Sequence, residues 1–253
     1  MAMSVRWKVG LWLWLAGMLG VVAMAGLVLP RLLATLPEML GPEVAAPGSM
    51  PPVWVLVLAS VVQSAALLGA AVWGGVALSP AVGLRAPGFE AAVSGQSILG
   101  ALRSQWVPGI VAGAVGGVVL AVFGWMAPAQ VQAVQGRIAM PLVVRVLYGG
   151  ITEEVLLRWG FMTLMVWMAR RSGLRASVWV WIAIVVSALV FAMGHLPAAA
   201  ILAGPLTPSL VGYVMVANTL FGVVFGYLFW RFGLEAAILA HALTHVVCWM
   251  LVG

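Results

Sequence analysis

Three short stretches of the sequence place ionisable side chains inside long apolar runs. Glu153 and Glu154 stand together with Arg158 four residues on, Phe191 precedes His195 by four, and His241 precedes His245 by four. An ionisable group inside a spanning segment is costly and by default marks a functional site. Glu154 and Arg158 share a helix face at i and i+4 and can pair. Glu153 is turned about 100° from Glu154, which frees it to face a different neighbour. One acid is therefore neutralised within its helix. The other is left for chemistry, for a structural ion-pair network or for an ion site in a transporter. Phe191 lies one turn before His195 on the same face and can wall an apolar cavity beside it. His241 and His245 set two imidazoles on one face, with Cys248 near that face as a small buried hydrophobe. All three histidines lie in two late apolar segments, and two of the six acids lie in a third. These segments are expected to converge on one cavity. No serine–histidine–acid set accompanies them.

The elements that must position these groups are membrane helices. Of 253 residues, 64% are hydrophobic and only 7% charged, and the mean hydropathy is +1.16. A soluble domain carries roughly a quarter charged residues, so a hydrophilic shell is missing here. Eleven arginines and one lysine face six glutamates, aspartate is absent and Asn218 is the one asparagine. The cations sit between apolar runs, which makes them topology markers and contacts for the lipid bilayer rather than for nucleic acid. The single cysteine excludes an internal disulfide framework.

Apolar stretches of about 20 residues, enough to span a bilayer, predict helices near 10–30, 53–79, 108–128, 141–169, 177–199, 208–230 and 234–252. The fold expected is an all-α polytopic bundle of about 7–8 membrane helices. The run from Gly10 to Leu29 exceeds a signal-peptide core, so a retained first helix is expected despite Ala23-Met24-Ala25. A loop is expected over 32–52, carrying Glu38 and Glu43. The more polar stretch 80–107 fits an interfacial amphipathic helix. Another is expected over 129–140, with Gln130, Gln132, Gln135 and Arg137. Gly109, Gly113 and Gly117, and again Gly222 and Gly226, recur at intervals of four, a spacing that lets helix backbones approach closely. With the N-terminus inside, Arg6, Lys8, Arg85, Arg103, Arg170, Arg171, Arg175 and Arg231 lie inside, and Arg31 and Arg137 lie outside. The positive-inside rule favours that orientation.

The three stretches resemble the CPBP family of intramembrane proteases, which includes the Rce1-type CAAX prenyl endopeptidases and the bacterial Abi proteins. That family's pattern is EExxxR, then FxxxH, then HxxxN or HxxxD on separate helices. Here it is matched by Glu153-Glu154…Arg158, Phe191…His195 and His241…His245, and the approach from Thr219 through Leu243 also looks like the family's. The resemblance covers roughly residues 141–252. It divides one integral membrane domain into N-terminal helices with interfacial segments (1–140) and a CPBP-like core (141–253). The departure is His245, which stands where the family has asparagine or aspartate.

The resemblance implies an endopeptidase acting on a membrane-anchored protein or lipidated peptide, in a bacterial-type plasma membrane, without a cofactor. Glu153 and His195 would activate water, while His241 and His245 would hold the oxyanion. Glu154, Arg158 and Phe191 would support them. The extra histidine also permits a zinc protease with Glu153, His195, His241 and His245 as ligands, although HExxH is absent. A non-catalytic scaffold or immunity protein of the same fold is a further alternative. Straight helices raise one geometric conflict. At 1.5 Å per residue, His195 would lie about 27 Å and Glu153 about 24 Å from the arginine-rich side, but His241 only about 10 Å.

Overall fold

The computed structural model describes residues 3–40, 51–133, 140–173 and 175–253. These include Glu38 but not Glu43, Gln135 or Arg137, so the loop and interfacial expectations over 41–50 and 134–139 lie outside them. Helix α1 (Met3–Leu27) starts earlier than the apolar run suggests. After a turn at Val28 the chain enters α2 (Leu29–Leu40), so the first part of the expected loop is helical. Its strong amphipathicity is what single-residue polarity concealed: apolar and polar positions alternate at helical spacing.

Helix α3 (Val53–Val82) ends at Gly83, whose φ of 73° is left-handed. The expected interfacial segment is two short helices, α4 (Pro87–Ser94) and α5 (Ile98–Leu102), the latter capped by the Ser97 hydroxyl on Gly100 N–H. There follow α6 (Trp106–Trp125) and the single turn α7 (Ala129–Gln132). The composite helix α8 (142–169) comes next. The chain closes with α9 (Ala176–Gly194), α10 (Leu196–Ala203), α11 (Pro208–Phe232) and α12 (Leu234–Val252). Among the described residues, six helices are long and apolar enough to cross a membrane: α1 with the start of α2, α3, α6, α9 with α10, α11 and α12. Helix α8 runs among them, against α1, α3 and α12. The described residues contain no strand, and the fold is an all-α polytopic bundle.

One hydrophobic core links the helices on both sides of α8. Leu13, Leu68, Val155, Met162, Ile184, Phe225 and Ala240 are all buried in it. The glycine spacings act as expected. A Cβ on Gly113 would stand 2.5 Å from Leu243 Cβ and 2.9 Å from Ala240 O, so α6 and α12 touch backbone to backbone there. Gly222 and Gly226 admit Ala188 and Ile184 of α9 in the same way.

Two expectations about the site-bearing helices need correction. The segment 141–169 is not a regular α-helix: Arg145–Glu153 and Val155–Met162 are π-wound, with five-residue hydrogen-bond repeats. Such winding is rare and concentrates at functional sites. Locally, Gly149 and Gly150 remove side-chain resistance to it, and the Thr152 hydroxyl bonds Gly17 O at 2.6 Å while reaching Leu147 O five residues back. The second correction concerns 177–199. That helix stops at Gly194, and His195 stands at the junction with α10, whose Pro197 lies in its first turn. Proline suits that position because it lacks the N–H that an interior helix position would need.

Candidate active site

Helix α8 brings Glu154 to α12. Its Oε1 lies 2.9 Å from His241 Nδ1, and its Oε2 lies 3.2 Å from Arg158 Nε. The expected acid–arginine pair therefore forms, and the same carboxylate also fixes an imidazole. Both Glu154 and Arg158 are fully buried. The Arg158 contact is an ion pair without hydrogen-bond alignment, and the two terminal guanidinium nitrogens have no hydrogen-bond partner. The Phe191 ring, 5.4 Å from Arg158 Cζ, meets that charge with its face.

Phe191 is the hub of the cluster. Its ring contacts His195 edge-on at 4.7 Å and His241 edge-on at 6.3 Å. His241 is stacked between Phe225 at 4.5 Å and His245 at 5.1 Å. His195 Nδ1 is 2.9 Å from Phe191 O. A carbonyl only accepts, so Nδ1 carries the proton and Nε2 keeps a free lone pair. Glu153 is half-buried and makes no hydrogen bond within the described residues, so its carboxylate is free to take an external partner.

The backbone of α8 leaves room for the imidazoles. A Cβ on Gly149 would stand 2.9 Å from His245 Nε2 and 3.6 Å from His241 Nε2, so both nitrogens converge on one point beside it. Gly150 allows the same approach to Ala242. The structure thus unites Glu154, Arg158, Phe191, His195, His241 and His245 through direct contacts, with Glu153 next along α8. Cys248 is buried and makes no hydrogen bond with the cluster. Among the described residues, no three His, Cys, Asp or Glu side chains are gathered to hold a metal ion. Sequence reasoning missed Gly149 and Phe225. The glycine pair just before the two glutamates was an available signal for a close approach.

The cluster falls inside residues 135–247, which match the family described as type II CAAX prenyl endopeptidase Rce1-like. Over this stretch the chain is similar to the Rce1-like family. This Rce1-like region runs from the start of α8 to most of α12 and contains every residue of the cluster. It is a family of membrane-embedded proteases, in agreement with the apolar helices around it. No curated protein and no solved structure matches the chain.

Proposed function

We propose that the chain is an intramembrane endopeptidase that cuts a membrane-anchored protein or lipidated peptide, in a plasma membrane of bacterial type. The observation carrying this reading is the cluster in which Phe191 joins His195 to His241 and Glu154 holds His241, with Glu153 adjacent to Glu154 on α8, all within the Rce1-like region. Water bound between Glu153 and the free Nε2 of His195 loses a proton to this pair as its oxygen attacks the scissile carbonyl carbon. The carbonyl oxygen becomes an oxyanion. Collapse of that intermediate breaks the C–N bond, and the departing amine takes a proton from the same pair. Helix α8 would seat the oxyanion near Gly149, where the Nε2 atoms of His241 and His245 converge.

The hydrogen bond from His241 to Glu154 sets a protonation requirement. A neutral His241 with its proton on Nδ1 has a bare Nε2, which can only accept. To donate to an oxyanion, the His241–Glu154 pair must hold two protons, either as imidazolium with carboxylate or as neutral imidazole with carboxylic acid. Arg158 and Glu154 thereby act on the oxyanion through His241 and do not touch substrate. Nothing in this sequence of steps calls for a metal.

Comparative mass spectrometry of membrane-protein C-termini, with wild type and Glu153→Gln expressed at equal levels, tests the proposal. New termini are expected only with wild type and would name the substrate. Identical sets of termini in the two strains would contradict proteolysis.

A further inference from the structure

A polar cavity lies away from the histidine cluster. About 750 Å³ in volume, it lies among α1, the end of α3, α4, α5 and Trp159 of α8. That volume is within the roughly 300–1,000 Å³ usual for small-molecule sites. None of Glu153, His195, His241 or His245 lines it. Arg6, Arg85 and residues of the short helices α4 and α5 line it.

Its lining is arranged for an anion. Arg6, Arg85 and Glu90 are the charged residues. Glu90 is occupied: Oε2 takes Arg85 NH2 at 2.6 Å and Arg85 Nε at 3.2 Å, while Oε1 takes Ala86 N–H. Among the described residues, no acid pairs with Arg6. Its Nε is shut off from the surface without a hydrogen-bond partner, and it stands in the first turn of α1, where the helix dipole adds positive potential. Ser79, Gln96 and Ser104 also line the cavity and make no side-chain hydrogen bond within the described residues. Ser79 is 5% exposed, and it lines the cavity with its hydroxyl unengaged by any described residue. Trp159 donates its indole N–H to Val72 O and offers the cavity only its apolar ring. Donors from α1, α3 and the α4–α6 connections thus surround one space. A tetrahedral phosphate, with oxygens in several directions, suits donors spread over several elements better than a planar carboxylate does.

We infer that this cavity binds a phosphate-bearing anion, with Arg6 and Ser79 as its principal ligands. The anion is either the headgroup of an anionic phospholipid or a free phosphate. Binding to the detergent-purified full chain by native mass spectrometry tests the inference, with phosphatidylglycerol, phosphatidylcholine and inorganic phosphate as probes. One phosphatidylglycerol per protein should be retained, more tightly than phosphatidylcholine. Arg6→Gln should weaken it at least about tenfold, the scale of one lost charge-assisted hydrogen bond. Lys8→Gln should leave binding within about twofold, since Lys8 is exposed on the same helix and outside the lining. Ser79→Ala, a change of one atom, should weaken binding about threefold or more and gives a second reading if Arg6→Gln does not fold. Phosphate that displaces the lipid identifies a free-phosphate site, and phosphate that does not identifies the headgroup. Equal binding of the two lipids, or equal losses in Arg6→Gln and Lys8→Gln, would overturn the assignment.

Discussion

At the residue scale, the Glu154 carboxylate has two tasks that substitutions can separate. Glu154→Ala removes the counter-charge of a fully buried Arg158, and an uncompensated buried charge costs about 3–5 kcal/mol. A lower melting temperature in detergent is expected, and Arg158→Ala should lower it too. Unchanged unfolding in both would refute the pairing. Glu154→Gln should destabilise as well but keep more activity than Glu154→Ala. An amide N–H can donate to His241 Nδ1 and so leave a proton on Nε2. Equal activity of the two variants at equal folded fraction would remove Glu154 from the oxyanion argument. His245 raises the question of metal. If it is a donor in the family's asparagine position, His245→Asn keeps substantial activity, and the wild type survives chelation. One zinc per protein by elemental analysis, lost together with activity in His245→Asn, would replace the metal-free mechanism with a zinc one. The sequence made Glu154–Arg158 legible because their spacing fixes a shared face in the helix. It could not disclose the bond from Glu154 to His241, which depends on the packing of two helices far apart in the chain.

At the scale of elements, α8 decides the site. Its π winding and its glycine pair bring the acids and the imidazoles together. Gly149→Ala would place a Cβ 2.9 Å from His245 Nε2, so one imidazole must move. A displacement of about 1 Å at a reacting group can cost about 10²-fold, and a fall in kcat of that order is expected with little loss of folded protein. Near wild-type kcat in purified Gly149→Ala would show that the imidazoles do not work beside that backbone. Helix existence was legible from apolar length, since the bilayer fixes how many residues a span needs. The winding of α8 was not, because a π turn and an α turn draw on the same apolar composition. The stop at Gly194 could have been read from Pro197, which suits a helix start better than a helix interior. Helix α2 was hidden because a short amphipathic helix reads as a mixed loop when polarity is averaged over a window.

At the scale of the whole molecule, the arginine-rich end and the polar cluster define two separate regions of one bundle. The cavity at Arg6 sits at the basic end, and the histidine cluster lies within the Rce1-like core between α8, α9, α11 and α12. The spacing of six acids, three histidines and twelve cations along an otherwise apolar chain was enough to expect the polar groups of the late helices to converge, but not to foresee a cavity at Arg6. Charge inside a membrane survives only where it is paired or used. Which side chains of α8, α9 and α12 meet was not foreseeable, since that depends on how helices far apart in the chain pack. The central claim is that Glu153 and His195 activate water for peptide hydrolysis. The most direct measurement is cleavage of a membrane-anchored peptide library by purified, liposome-reconstituted protein, read by mass spectrometry. Wild type should generate new termini, and folded Glu153→Gln and His195→Ala should generate none. Cleavage by Glu153→Gln at the wild-type rate would contradict the account.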